Sequence, residues 1–354
     1  MPDDIDAKPG RPVKVMQVMA GAPLGGAETF YADLVLALHE AGLDQVAVTR
    51  AETERARLLT VAGVPVLPYP RAPFGAWGRM AMGWLIARHR PDLVQVWQGR
   101  AASHLPHTAV PAIGWFGGYY DLSRYGNCGQ FIAVTRDIRR HVIESGCPEE
   151  QAHTIHTFAL LDDSPAAPRE AWGTPDGVPL ILVLARLHEK KGIDILLRAV
   201  ALTHGPWLWI AGDGELRPEL ERLAGKLGVA DRVRFLGWRT DRGALLRAAD
   251  LLALPSRYEP FGTVMVEAWQ CGVPLIACAA AGPAAYVQDG RNGLLVPIDD
   301  SSALALAIRR TVEDKALRAS LIAGGHETYD AEFTKAKIVA AYTELYQKVA
   351  DQRR

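Results

Sequence analysis

The sequence predicts an α/β protein of two doubly wound domains, and three observations predict it. The chain has 354 residues, which at roughly 100 to 200 residues per domain corresponds to about two domains. Short apolar, β-rich runs alternate with longer segments of helical period, the pattern of a parallel sheet with helical crossovers. The alternation breaks once, in a stretch crowded with Pro, Gly and Asp, and then resumes.

The first strand is expected from Val13 to Met19, followed by a helix from Ala27 to Ala41 that Gly42 ends. Further strands are expected at Val46 to Thr49, Val64 to Leu67, Leu93 to Val96, Ala112 to Trp115 and Phe131 to Val134. Their near-continuous apolar character suits strands buried on both faces of a parallel sheet. The break, LLDDSPAAPREAWGTPDGV from Leu160 to Val178, reads as an interdomain linker and sets domains at residues 1–165 and 166–330. Alternation restarts with strands at Leu180 to Leu184, Trp207 to Ile210, Val233 to Phe235, Leu251 to Leu254 and Pro274 to Ala277. In the tail, residues 331–354, Ile338, Tyr342, Leu345 and Val349 share one helical stripe. That helix either closes the second domain or crosses back to brace the first.

Apolar residues make up 49% and charged residues 22%, the balance of an ordinary globular protein. A formal net charge of -1 carries no footprint of a nucleic-acid binder, so no nucleic-acid partner is expected. Cys128, Cys147, Cys271 and Cys278 form neither a CxxC pair nor a disulfide framework, which suits a reducing compartment. The opening residues are acidic and lack a secretory apolar run. No apolar stretch reaches the roughly 20 residues that span a bilayer. A cytoplasmic protein is expected, with attachment to a membrane surface left open.

In open α/β sheets ligands bind beyond the carboxyl ends of the strands, and three such loops are unusual. After the first strand, Ala22-Pro23-Leu24-Gly25-Gly26-Ala27-Glu28 opens a helix, and its paired glycines let backbone N–H groups approach a phosphate or sugar. It has neither the GxGxxG spacing of a dinucleotide site nor a Walker lysine, and a plain tight βα turn reads the same way. After the first strand of the second domain, Leu184-Ala185-Arg186-Leu187-His188-Glu189-Lys190-Lys191-Gly192 sets Arg186 at the strand end and Lys191 beside the glycine that begins the next helix. Both cations can converge on one anion, and a diphosphate fits. Lys190 reads as a solvated lysine. After Leu251 to Leu254 comes Glu259-Pro260-Phe261-Gly262-Thr263-Val264-Met265-Val266-Glu267, in which the amides of Gly262 and Thr263 stand at a helix start, where phosphates bind. Glu267 lies roughly 7 Å into that helix at about 1.5 Å per residue, and leans back toward the pocket of Glu259. Its sensible role is to accept hydrogen bonds from a ribose diol. Taken by itself, the segment would read as two solvated glutamates on a helix edge.

The segments LARLHEKKG, AGDGEL, ADLLALPSRYEPFGTVMVEAWQCGVPLIA and AGPAAYVQDGRNGLLV stand in the order and spacing of glycosyltransferase family 4, the retaining enzymes of the GT-B fold. The chain resembles that family from Leu180 to about Leu321, most specifically in the Glu-x7-Glu pair, and more loosely in the first domain through PLGGAE. The resemblance implies two Rossmann-like domains facing across a cleft that closes about the linker to shut out water. It implies a hexosyltransferase-like enzyme that moves a sugar from a nucleotide-diphosphate sugar, its co-substrate, to a glycan or lipid-linked acceptor such as a lipopolysaccharide core. By position it assigns Arg186 and Lys191 to the donor diphosphate, where they would stabilise charge on the leaving group. Glu259 is assigned to the transferred sugar or adjacent phosphate, Glu267 to the ribose, and the backbone of Phe261, Gly262 and Thr263 to the phosphates. Gly25 and Gly26 are assigned near the diphosphate and acceptor. No cofactor and no metal is expected, because no Asp-x-Asp stands in a donor-site loop and two cations already serve the diphosphate.

Two positions depart from the family pattern. Gly117, in Ile113-Gly114-Trp115-Phe116-Gly117-Gly118-Tyr119-Tyr120-Asp121, stands where many relatives have a histidine, leaving Asp121, His104 and His107 as substitutes by nearness in sequence. Ala285 stands where relatives often have a glutamate, so sugar recognition there would rest on backbone groups. A sugar-nucleotide epimerase of the same architecture stays open as an alternative, as does a non-catalytic sugar-nucleotide-binding subunit, which the missing histidine motivates.

From Pro68 to His141 there are nine arginines and no lysine against three acids, Asp92, Asp121 and Asp137, a balance of 9 - 3 = +6. Phe74, Trp77, Met80, Met82, Trp84, Trp97, Trp115 and Phe116 lie in the same stretch. Basic and aromatic residues together suit an anionic lipid headgroup surface, which points to peripheral contact with the inner face of the cytoplasmic membrane. The same aromatics would equally serve as core.

Overall fold

The computed structural model describes residues 13–22, 25–70 and 75–352. Pro23, Leu24 and Phe74 lie outside the described residues. The chain divides into two compact units, one of Met1–His156 with Lys335–Arg354 and the other of Thr157–Thr334.

The first unit runs β1 (Lys14–Met19), α1 (Gly26–Glu40), β2 (Asp44–Thr49), α2 (Glu54–Val61), β3 (Val66–Pro68), α3 (Gly75–His89), β4 (Leu93–Trp97) and α4 (Gln98–Ser103). It continues with β5 (Ala112–Phe116), β6 (Gln130–Ala133), α5 (Arg136–Glu144) and β7 (Ala152–Thr154). The strands pair in parallel in the order β3-β2-β1-β4-β5-β6-β7. Every residue of β4 and β5 is buried, which is why their sequences run on without polar alternation. The strand order reverses between β1 and β4, the topological switch point where such sheets bind ligands.

The second unit repeats the plan with β8 (Leu180–Leu184), α6 (Ile193–Ala201), β9 (Trp207–Ala211), α7 (Arg217–Lys226), β10 (Val233–Gly237), α8 (Arg242–Ala248) and β11 (Leu251–Leu254). There follow α9 (Thr263–Cys271), β12 (Leu275–Cys278), α10 (Ala281–Tyr286), β13 (Leu294–Val296), α11 (Ser301–Glu313) and α12 (Lys315–Glu332). The parallel order is β10-β9-β8-β11-β12-β13, with its switch point between β8 and β11. The two strands absent from the sequence reading, β7 and β13, are edge strands of three residues, too short to show a period.

The stretch expected as a linker is laced to the second unit. Asp162 accepts the Gly243 amide at 2.9 Å at the start of α8, and Arg247 holds the carbonyls of Asp162 and Ser164 at 2.6 and 2.8 Å. Arg169 reaches the Ala248 carbonyl and the Asp250 carboxylate, the latter at 2.9 Å. The boundary between units accordingly falls at His156/Thr157, ahead of that stretch.

The last helix, α13 (Lys335–Asp351), belongs to the first unit and lies on α1 and β4. Its Tyr346 hydroxyl, fully buried, accepts from Gln17 Nε2 at 3.0 Å and donates to Gln95 Oε1 at 2.7 Å. Trp97 Nε1 donates to Gln17 Oε1 at 3.1 Å. Gln17 Nε2 and Gln95 Oε1, at the centres of β1 and β4, thus find their partner in one tyrosine of the last helix, while Gln95 Nε2 has none among the described residues. Tyr346→Phe strands both, at a cost of about 1 to 3 kcal/mol. A fall in melting temperature of roughly 2 to 4 °C per kcal/mol, read by circular dichroism, is the expected result.

Candidate functional site

The loops after β8 and β11 flank the second sheet's switch point. The first tightens into a 3-10 turn at Glu189–Lys191, capped by His188, whose Nδ1 accepts the Lys190 amide at 3.1 Å. Gly192 follows in the left-handed region at φ 63°, and a Cβ there would lie 2.1 Å from the Pro255 carbonyl oxygen. The two loops therefore meet backbone to backbone. The Arg257 and Tyr258 amides seal the contact by donating to the Lys190 carbonyl at 2.9 and 3.2 Å. Arg257 also forks onto Asp194, with both bonds at 2.8 Å.

Within this frame Lys191 Nζ lies 2.6 Å from Glu259 Oε2, and Ser256 Oγ donates to the same oxygen at 3.3 Å. Arg186 is exposed at the end of β8, and its guanidinium has no partner among the described residues. Lys190 lies over the Tyr258 ring at 4.8 Å.

Gly262, at φ 91°, opens α9, whose first amides have no intrahelical acceptor. The Gly282 amide donates to the Glu259 carbonyl at 2.8 Å, and a Cβ on Gly282 would come within 2.3 Å of the Phe261 carbonyl oxygen. The Phe261 ring is turned into the core, edge-on to Tyr286 at 5.7 Å, so only its backbone is available to a ligand. Thr263 is half-buried at the first position of α9. Ala285 is exposed on α10.

Glu267 corrects the picture of a solvated helix edge: its side chain is 0% exposed, and that of Glu259 is 11% exposed. Arg242, the first residue of α8, donates to Glu267 Oε1 in a close ion pair. The other carboxylate oxygen, Oε2, has no partner. Burial pushes the Glu267 pKa above the usual carboxylate range, against the pull of Arg242. A buried acceptor oxygen without a donor is an exception in a folded protein and calls for an explanation.

In the first unit the glycine loop is organised by Glu28. Its Oε1 accepts the Ala22 amide at 3.0 Å and Gln98 Nε2 at 2.9 Å. A Cβ on Gly25 would lie 2.2 Å from Glu28 Oε2, whereas one on Gly26 would meet nothing within 4 Å among the described residues. Gly25 makes room for the carboxylate, and Gly26 leaves open space. Arg55 holds the Ala22 and Gly21 carbonyls at 2.6 and 3.2 Å. Gln98, directly after β4, takes φ 66°, a conformation costly for a residue with a side chain. The Glu28–Gln98 bond thus spans the first sheet's switch point.

Gly117 has a steric cause. A Cβ there would lie 2.2 Å from the Trp115 ring, which is buried and packed against Trp97 at 4.7 Å. Of the substitutes, His104 is committed to Tyr69, with Nδ1 2.7 Å from the hydroxyl, and burial holds its pKa below the usual histidine value. Asp121 is exposed and caps a turn through the Ser123 amide at 3.0 Å. His107 lines a surface groove beside α3. Arg242, Glu28 and Gln98 went unassigned in the sequence reading. Arg242 opens a helix and does not leave a strand end as Arg186 does, and Gln98's backbone strain leaves no trace in sequence.

Removing Arg242 strands a buried charge. Arg242→Gln is expected to cost about 3 kcal/mol at neutral pH. Because the folded pKa of Glu267 is raised, the folded state takes up a proton before the unfolded state does as pH falls. The deficit should therefore shrink as pH falls through the raised pKa toward the ordinary carboxylate value. Urea unfolding at neutral and mildly acidic pH checks this, and in Arg242→Gln with Glu267→Gln the pH dependence should disappear.

Residues 166–328 match the model of glycosyl transferases group 1, and residues 24–162 match that of glycosyltransferase family 4. The chain is 34% identical over 348 residues to the lipopolysaccharide core biosynthesis glycosyltransferase LpsD of Rhizobium meliloti (strain 1021), covering 96% of this chain and 100% of that protein. LpsE of the same organism, which carries the same description, is 34% identical over 329 residues, covering 91% and 95%. Among solved structures, Anabaena Alr3699/HepE in complex with UDP and glucose superposes with a TM-score of 0.83 at 23% identity, covering 95% of this chain and 100% of that one. No helix among the described residues is long and apolar enough to cross a membrane. Two parallel α/β units matching two glycosyltransferase models in succession, with full-length relatives of the same class, show that the chain belongs to the family 4 glycosyltransferases of the GT-B fold.

Proposed function

We propose that this glycosyltransferase transfers a hexose from a nucleotide-diphosphate sugar to a lipid-linked saccharide of the lipopolysaccharide core, with retention of anomeric configuration and without a metal. The observation that carries the donor half is the buried, unpartnered Oε2 of Glu267, on the helix that Gly262 opens beside the Lys191–Glu259 pair. A ribose hydroxyl would donate to that oxygen once the side chains that leave Glu267 0% exposed move aside on binding. The diphosphate would take up the free Arg186 and share Lys191. Glu259, relieved of part of its pairing, would accept from a hydroxyl of the transferred sugar. Phosphates would also receive the amides of Gly262 and Thr263. On the first unit, Gly25 and Gly26 would offer backbone and open space to substrate. The complexes of HepE with UDP and with UDP-glucose support a uridine nucleotide, and the descriptions of LpsD and LpsE support the acceptor class.

Arg186 and Lys191 would act where charge develops, on the departing diphosphate, which is the larger part of catalysis in such a site. The acceptor hydroxyl then attacks the anomeric carbon on the face the leaving group vacates, through an oxocarbenium-like state, and its proton passes to the departing phosphate oxygen. The Trp115 ring beside Gly117 favours one second reading, a subunit that binds sugar nucleotide without transferring it.

Transfer from labelled UDP-hexoses to a truncated lipopolysaccharide acceptor, in the presence of a chelator, tests the proposal. The expected product keeps the donor's anomeric configuration, and Arg186→Ala lowers kcat about 100-fold to 1000-fold. An inverted product, an epimerised donor formed without acceptor, or an undiminished Arg186→Ala enzyme would each refute it. Gly117→His is expected to lower activity and melting temperature together, since overpacking against Trp115 costs about 1 to 3 kcal/mol. Rescue of a silent protein by that change would favour the binding-only reading.

A further inference from the structure

The outward face of α3 is apolar where a helix on a soluble surface is ordinarily polar. Trp77, Met80 and Trp84 are 61%, 60% and 61% exposed. At 3.6 residues per turn they share with Arg88 an arc of about 80°. Met82, Leu85 and Ile86, on the opposite side, are buried in the first unit. Large exposed hydrophobics at helical spacing mark an interaction surface.

Charge selects the partner. From Gly75 to Pro91 the sequence has Arg79, Arg88 and Arg90 and no acidic residue. Arg88 lies over the Trp84 ring at 5.4 Å, so the cation rides on the apolar stripe. A groove of about 630 Å³ runs beside the helix, lined by Arg79, Met80, His107, Arg124 and Asn127 among others, with no carboxylate in its lining. Tryptophans flanked by arginines match the headgroup layer of an anionic bilayer, where indoles sit at the interface and guanidinium groups meet phosphates. At 15 residues α3 is about 22 Å long, short of the roughly 30 Å hydrocarbon core, so it would lie on the bilayer and not span it.

We propose that the Trp77–Met80–Trp84 face of α3, with Arg79, Arg88 and Arg124 beside it, is the surface by which this enzyme docks on an anionic phospholipid bilayer. The proposal deepens the lipid-linked acceptor reading by naming the surface that would bring the first unit to its substrate.

Co-sedimentation with phosphatidylglycerol–phosphatidylcholine vesicles at low salt tests it. The wild type is expected to pellet with them and not with phosphatidylcholine alone. Trp77→Ser with Trp84→Ser should stay in the supernatant while keeping its melting temperature and its stabilisation by UDP. Arg88→Gln should bind about fivefold more weakly, the equivalent of ~1 kcal/mol per basic residue at an anionic surface. Wild type that ignores anionic vesicles, or a double variant that binds them undiminished, overturns the proposal. So does a wild-type dimer that the double variant dissolves in sedimentation equilibrium without any vesicle binding, which would make a second copy the occupant. Vesicle binding that follows these expectations alongside absent transfer to lipid acceptors would sink the acceptor reading and leave the docking surface standing.

Discussion

Of the glycines in the second unit where a Cβ would fall within 2.4 Å of a distant carbonyl oxygen, four join the segments that follow its strands: Gly192 against Pro255, Gly212 against Ala185, Gly214 against Leu187, and Gly282 against Phe261. The loops after β8, β9, β11 and β12 can touch only because these positions lack side chains. Their contact makes one packed body of segments that are distant in sequence, and with Arg257 tying the loop after β11 to Glu189 and Asp194 it fixes Arg186, Lys191, Glu259 and the start of α9 relative to one another. A site built this way keeps its geometry before any ligand arrives, which is what electrostatic catalysis requires. A methyl group at Gly192 or Gly282 would push two backbones apart and separate Lys191 from Glu259.

Buried polar atoms without a partner occur in both units, Gln95 Nε2 in the first and Glu267 Oε2 in the second, and of these two only Glu267 belongs to an ionisable group. In the first unit Gln17, Gln95, Trp97 and Tyr346 form a hydrogen-bonded chain whose office is to bind the last helix to the sheet. In the second unit Glu267 is as deeply buried, yet one of its oxygens has no partner and its ionised form is opposed by burial. An interior carboxylate left half satisfied lowers stability, and under the proposed function a donor hydroxyl would offset that cost. The strained Gln98 at the other sheet's switch point, bonded to Glu28, is a smaller case of the same kind.

Much of the fold was legible because parallel strands buried on both faces must be apolar throughout. Leu180–Leu184 and Leu251–Leu254 were located to the residue, while the three-residue edge strands β7 and β13 offered no period to read. The three loops were visible because glycine at a strand's end is a local signal. What lay beyond the sequence was pairing across distance: Arg242 with Glu267, Tyr346 with two glutamines, Asp162 with the start of α8. Each joins residues that only the packed chain brings together. The aromatics of the first unit show the same limit, since Trp97 and Trp115 are core while Trp77 and Trp84 are exposed, and composition alone could not sort them.

The central claim is that Glu267 and its neighbouring loops form a nucleotide-sugar site, and ligand-induced thermal stabilisation tests it most directly. UDP, GDP, ADP and CMP, each with its common sugar conjugates, are compared on the wild type and on Glu267→Ala. Ligand at about 100 times its Kd adds roughly 2.7 kcal/mol, and at about 2 to 4 °C per kcal/mol the shift is readily seen. The account predicts a selective response to one nucleoside diphosphate and its sugars that Glu267→Ala loses. A wild type indifferent to every nucleotide, or a response that Glu267→Ala retains in full, would contradict it.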